Sequence, residues 1–162
     1  MSEQTPAWQT CEFVRLEVAD GIGTIRLDRP KMNALSTQLQ DEIGIVAQQA
    51  AEHPEVHAVI VYGGERVFAA GADIKEMQDF EGFDHLLAAN RGCYVAFNAV
   101  YECAVPVIAA VNGFCVGGGI GLVGNADSIV ASKGAVFGLP EVDRGALGAA
   151  THLAEIAPPG KR

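Results

Sequence analysis

PVIAAVNGFCVGGG, residues 106–119, lies inside a stretch from Cys103 to Ala126 that carries no charged residue. Such a stretch is long enough to imitate a membrane span. It even spaces small residues four apart, at Gly113, Gly117 and Gly121. Pro106, Asn112, Asn125 and six glycines within it argue for another reading. Residues 106–111 read as a buried strand, Asn112-Gly113 as a turn, and Gly117 to Gly119 as the opening of a short helix.

Working outward, residues 83–102 predict a long helix. Phe83, Leu86, Leu87, Tyr94, Phe97 and Tyr101 recur on it at helical spacing, a stripe expected to pack into the core. Further upstream, residues 12–18 and 23–27 alternate apolar and polar around Asp20-Gly21, a hairpin signal. Ser36 is placed to cap a helix reaching about His53, with Leu39, Ile43, Val46, Ala47 and Ala50 on one face. Residues 56–62 (VHAVIVY) predict a strand ended by Gly63-Gly64, and residues 68–77 (FAAGADIKEM) a loop. Downstream, residues 128–131 and 135–138 predict short strands, residues 139–145 (LPEVDRG) a loop, and a last helix starts near Ala146. Strands alternating with helices indicate an α/β fold with parallel strands, built from recurring strand-strand-helix units.

The chain has 162 residues, enough for one domain. Residues 1–10 are expected to form a polar extension, 11–156 the core, and 157–162 a short polar tail. Apolar residues make up 49% and charged residues 19%, which excludes a disordered chain. The formal net charge is −9, the wrong sign for a general nucleic-acid binder. The N-terminus lacks the order of a signal peptide, and Cys11, Cys93, Cys103 and Cys115 form no CxxC pair. A cytoplasmic protein with reduced thiols is expected, without a membrane span. His53, His57, His85 and His152 are scattered, so no metal site is expected.

Three features carry possible chemistry. Gly71, among small residues in the FAAGADI segment, lets a ligand approach the backbone closely. The Gly117-Gly118-Gly119 triplet offers unpaired N–H groups, and two such groups from separate loops would hold a developing oxyanion. Glu141 follows Pro140 in a mostly apolar run, where a partly buried carboxylate can shuttle protons near neutral pH. Asp143 and Arg144 beside it read as supporting groups or as a surface ion pair. Gly119, Gly121 and Gly124 also match GxGxxG, with Glu141 and Asp143 at about the distance of a ribose-binding acid. A dinucleotide fingerprint should directly follow its strand, however, and residues 112–116 intervene.

Taken together, LDRPKMNALS (27–36), FAAGADIKEM (68–77), PVIAAVNGFCVGGG (106–119) and FGLPE (137–141) resemble the enoyl-CoA hydratase/isomerase, or crotonase, family. The four segments occur in family order and span most of the chain. The resemblance implies a crotonase-like spiral of ββα repeats that binds acyl-CoA thioesters, with no cofactor beyond the coenzyme A of the substrate. It implies that the N–H groups of Ala72 and Gly118 hold the thioester oxygen and that Glu141 transfers the proton. Ala34, Ala70, Gly71, Asp73, Ile74, Val116, Gly117, Gly121 and Pro140 would line the substrate site, mainly through backbone. Lys31, Arg66 and Lys75 match basic positions that can meet coenzyme A phosphates.

Two departures qualify what the resemblance implies. Hydratases of the family carry a glutamate where this chain has Gly121, and a lone Glu141 suits a double-bond isomerase that needs one proton shuttle. The resemblance also fades after about Leu153, so the chain is read as C-terminally truncated, with the trimer or hexamer of the family in question. Hydration or isomerisation of enoyl-CoA in fatty-acid β-oxidation is the expected activity. A Δ3,Δ2-enoyl-CoA isomerase and a non-catalytic acyl-CoA-binding or assembly subunit are the alternatives.

Overall fold

The computed structural model describes residues 10–78, 83–145 and 147–157. The polar segment 1–9, the tail from 158 and Ala146, the expected start of the last helix, lie outside the described residues.

Two antiparallel strands open the fold, β1 (Val14–Ala19) and β2 (Ile22–Leu27). Asp20 and Gly21 between them have φ of 51° and 81°, as a two-residue turn matching the strand twist requires. Helix α1 (Thr37–Glu52) begins where the Ser36 hydroxyl accepts the Leu39 N–H at 3.2 Å. Its buried face holds the five apolar residues expected there, together with Gln40 and Glu42.

From β3 onward the chain repeats one pattern, a strand in a first sheet, a strand in a second sheet, then a helix. The first unit is β3 (Ala58–Tyr62), β4 (Val67–Ala69), α2 (Ile74–Gln78) and α3 (Asp84–Tyr101). The second is β5 (Val107–Val111), β6 (Phe114–Val116) and α4 (Gly118–Gly124). The third is β7 (Ser128–Ala131), β8 (Val136–Gly138), a 3₁₀ turn (Pro140–Arg144) and α5 (Ala150–Ile156). The sheets run β1-β2-β3-β5-β7 and β4-β6-β8, and every pairing after the first hairpin is parallel. This is the expected α/β spiral of ββα units. At the crossings between sheets the backbones touch: a Cβ at Gly63 would overlap the Phe68 backbone, and one at Gly113 would overlap the Arg66 carbonyl.

Several expectations are corrected. The segment 68–77 is not one loop, because it begins in β4 and ends in α2. Residues 114–116, between the expected Asn112-Gly113 turn and the expected helix, form an additional strand, the central one of the second sheet. Three-residue strands are too short to show alternation, and β4 and β6 each run into a glycine-rich segment that reads as a loop or turn. The expected 139–145 loop is mostly 3₁₀, and the last helix begins at Ala150. No helix among the described residues is long and apolar enough to cross a membrane. The uncharged stretch 103–126 is divided among β5, β6 and α4.

The largest correction concerns α3. Its aromatic stripe does not pack into the core: Tyr94 is 70% exposed, Leu87 66% and Phe83 80%. The side that meets α1 is instead the one with Gly92, Ala96 and Val100. The two helices approach so closely that a Cβ at Gly44 would stand 2.7 Å from Val95 Cγ1, and one at Gly92 would stand 2.9 Å from Gln40 Oε1. Small residues make the seam, and the bulky ones are turned out of it. Of the stripe, Phe97 alone is partly buried against the core.

Candidate active site

Ala72, Gly118 and Glu141 are scattered along the chain but follow equivalent strands of one small parallel sheet. β4, β6 and β8 end at Ala69, Val116 and Gly138, and the segments 70–73, 117–119 and 139–141 leave from the same edge. Ligand sites of parallel sheets form at the carboxyl ends of strands for this reason. The Gly117 N–H donates to the Gly138 carbonyl at 2.9 Å, which extends the β6–β8 pairing into the site. Gly71, at φ 84°, closes the gap between the first two segments. A Cβ there would lie 3.3 Å from the Val116 carbonyl oxygen and 3.6 Å from the Gly118 nitrogen.

The direction of the Ala72 N–H follows from its peptide plane. The Gly71 carbonyl accepts the Leu35 N–H at 2.8 Å. In a trans peptide the N–H points opposite to the carbonyl, so the Ala72 N–H points away from Leu35. The Asp73 N–H returns to the Leu35 carbonyl at 3.3 Å and completes a parallel bridge. The side chain of Leu35, 2% exposed, reaches the second donor, since a Cβ at Gly118 would meet Leu35 Cδ1 at 2.8 Å. Gly118 opens α4, in the first turn, where backbone N–H groups have no partner within the helix.

Glu141 lies against this turn. A Cβ at Gly117 would be 3.3 Å from Glu141 Oε2 and 3.5 Å from Oε1. Oε1 accepts the Ala149 N–H at 3.3 Å, whereas Oε2 is buried without a hydrogen-bond partner. A Cβ at Gly148 would overlap Oε1, so only glycine leaves room for the carboxylate in this position. One oxygen is anchored and the other is buried without a partner. Asp143, two residues on, is exposed.

Gly121 is buried one turn into α4, and the ring of Phe97 fills the space beside it. The same ring lies 3.9 Å from a Cβ placed on Gly118 and meets the ring of His152 edge-on, with centroids 5.8 Å apart. His152 Nδ1 is buried and unpartnered. Gly119, Gly121 and Gly124 all lie inside α4, so the GxGxxG match forms no phosphate-binding loop after a strand.

Around this centre the other candidates divide. Ala70 and Pro140 belong to the converging segments, Val116 ends β6 directly before the second of them, and Ala34 lies on the 29–36 arm. Lys31 is exposed on the 29–36 arm, whose Met32 carbonyl accepts the Ala70 N–H at 3.1 Å. Ile74 is 67% exposed at the start of α2, beside exposed Lys75. Lys75 also borders a cleft of about 460 Å³ with Arg29, Asp73 and Glu76. Arg66 is not brought to this edge, because it precedes β4 and the converging segments follow it. A larger groove of about 730 Å³ between α1 and α3 contains none of the candidate residues.

Asp73 is occupied by protein groups. Its Oδ2 accepts from Arg29 Nη2 at 2.6 Å, and Oδ1 accepts the N–H groups of Lys75 at 3.1 Å and Glu76 at 3.3 Å. Burial, the largest single effect, pushes its pKa up. The Glu76 N–H, Arg29 and the Lys75 N–H together outweigh it and hold the carboxyl below its ordinary value. Arg29 and Asn33 were both visible in the LDRPKMNALS segment but carried no role in the sequence reading. Asn33, buried at φ 49°, donates to the Gly63 carbonyl at 2.7 Å and the Phe68 carbonyl at 3.1 Å, and accepts the Arg29 N–H at 2.8 Å. An arginine and an asparagine in the connection between β2 and α1 were the available signal. Phe97 gave none beyond the stripe.

Residues 17–156 match the family model described as enoyl-CoA hydratase/isomerase. The chain belongs to the enoyl-CoA hydratase/isomerase family. Within it, the chain is 60% identical over 139 residues to the (7aS)-7a-methyl-1,5-dioxo-2,3,5,6,7,7a-hexahydro-1H-indene-carboxyl-CoA hydrolase of Rhodococcus jostii, covering 86% of this chain and 54% of that protein. It is 36% identical over 139 residues to a probable enoyl-CoA hydratase of Mycobacterium bovis, covering 85% of this chain and 53% of that protein. A solved enoyl-CoA hydratase/isomerase family protein from Hyphomonas neptunium superimposes with a TM-score of 0.80 at 34% identity, over 90% of this chain and 58% of that one. This family member thus spans about half the length of the curated relatives it matches.

Proposed function

We propose that this family member binds an acyl-CoA thioester with its carbonyl oxygen between the N–H groups of Ala72 and Gly118, and that Glu141 moves the proton. The observation that carries this reading is the half-satisfied carboxylate of Glu141, anchored through Oε1 with buried Oε2 unpartnered beside the Gly117–Gly118 turn. Fixed backbone donors stabilise charge that develops on a thioester oxygen and need no reorganisation to do so. A carboxylate with one free oxygen takes a proton from carbon or from water.

For the reaction itself, hydrolysis of an acyl-CoA bearing a fused-ring acyl group is the reading favoured by the 60% identity to a hydrolase so named. Glu141 would then be the base for the attacking water. Double-bond isomerisation is the second reading, and it rests on the absence of a side chain at Gly121. A proton shuttle needs one carboxylate, whereas adding water across a double bond uses two handles.

Product masses separate these readings. Hydrolysis of the thioester releases free coenzyme A. Hydration adds one water with coenzyme A retained, and isomerisation leaves the mass unchanged. Glu141→Gln is expected to lower turnover by about 10²–10⁴-fold while an unreactive acyl-CoA still raises the melting temperature. At a hundredfold excess over Kd that binding adds about 2.7 kcal/mol. Equal turnover in Glu141→Gln refutes the role of Glu141. Binding without turnover in the wild type identifies a non-catalytic acyl-CoA-binding subunit.

A further inference from the structure

We propose that Arg29 and Asp73 are positioning residues that aim the Ala72 N–H, with Arg29 bracketing the bridge between Leu35 and Ala72. The inference rests on the reading that Ala72 is an oxyanion donor, and it explains how a residue outside any regular strand can hold that donor still.

Among the described residues, a hydrogen bond from outside its own loop orients the Gly71–Ala72 peptide, the Leu35 N–H on the Gly71 carbonyl. Whatever fixes Leu35 against residues 71–73 therefore fixes the Ala72 N–H. Arg29 does this from both sides. Nη1 donates to the Ala34 carbonyl at 3.0 Å, one residue before Leu35. Nη2 donates to Asp73 Oδ2 at 2.6 Å, one residue after Ala72. The planar guanidinium presents its donors in a rigid fork, so the spacing between the two arms is set by the side chain itself. Its Cζ lies 5.5 Å from the centroid of the Phe13 ring, which adds a cation–π contact.

Asp73 carries the constraint onward. Its second oxygen caps the first turn of α2 through Lys75 and Glu76. From that turn Glu76 Oε2 reaches back to the Thr37 N–H at 2.8 Å. The 29–37 arm and the 71–76 segment are thus joined by the Leu35–Ala72 bridge, by the Arg29 bracket on both sides of it, and by Glu76 beyond. The side chains of Arg29 and Asp73 are 20% and 12% exposed, so water competes little for these bonds.

The test reads donor geometry rather than turnover. Infrared difference spectra of an unreactive acyl-CoA bound to the chain report the polarisation of its thioester carbonyl. The wild type is expected to shift the stretch to lower frequency. Arg29→Met keeps the aliphatic stem and is expected to lose most of that shift while affinity falls by less than about tenfold. Arg29→Lys is expected to recover thermal stability but not the full shift, because an ammonium lacks the fork. An undiminished shift in Arg29→Met overturns the proposal, as does full recovery of both properties in Arg29→Lys. Absence of a shift in wild type that binds refutes Ala72 and Gly118 as donors, and absence of binding refutes the thioester reading itself.

Discussion

The ring of Phe97 occupies the volume that any side chain at Gly121 would need. A Cβ at residue 121 would overlap Phe97 Cζ and stand 2.5 Å from Cε2 and 3.1 Å from Cε1. The glycine and the phenylalanine, 24 positions apart in the chain, are one packing unit. Gly121 is therefore more than a position whose side chain has been lost.

Gly121→Glu alone is accordingly expected to destabilise the chain by about 1–3 kcal/mol, the usual range for overpacking a filled core, and not to raise hydratase activity. With Phe97→Ala in the same chain the clash is removed, and part of that stability should return. A double-mutant cycle in thermal melts measures the coupling, expected to be favourable by more than about 0.5 kcal/mol. Strict additivity would show that the ring swings aside freely.

Asp73 gives a pH dependence. Its folded pKa lies below the unfolded value of about 3.8, so the unfolded chain binds more protons in this window. The contribution is complete above that value and is lost as pH falls below it through the folded pKa. Asp73→Asn should therefore lower stability at neutral pH and flatten the acid limb of a stability–pH profile. An unchanged acid limb would assign the loss to other carboxylates.

Glu42 predicts a stability effect remote from the candidate site. Its residue is 7% exposed, and its carboxylate accepts the N–H groups of Glu12, Phe13 and Val14 at 3.1, 2.7 and 3.1 Å, plus Gln38 Nε2 at 2.9 Å. Glu42→Ala leaves these donors without their acceptor, and a loss of roughly 2–4 kcal/mol is expected from several such groups. Urea titration should show a lower midpoint with an unchanged slope. A loss below about 0.5 kcal/mol would mean that solvent satisfies the start of β1 unaided.

What could be read in the sequence was what local chemistry decides. The Asp20-Gly21 turn needs positive φ at both residues, Ser36 needs only the next turn of its own helix, and β3 and β5 are long enough to show their character. The residues nominated around the site were legible because glycine runs and a carboxylate after proline are local signals, made specific by a family resemblance. Arg29, Asn33 and Glu42 escaped notice because their partners lie in other segments, 44, 35 and 30 positions away at the farthest.

The sequence by itself determined the order of the longer strands and helices, the capped α1 with its buried face, and the family to which the chain belongs, whereas β4, α2 and β6 emerged only in the structure. Tertiary structure alone decided which way α3 faces, since helical periodicity marks a stripe but not the partner that will cover it. There a seam of small residues placed α3 against α1 and left Tyr94 and Leu87 outside. It also decided that segments 70–73, 117–119 and 139–141 meet, because adjacency in a parallel sheet joins residues that the intervening helices keep far apart along the chain.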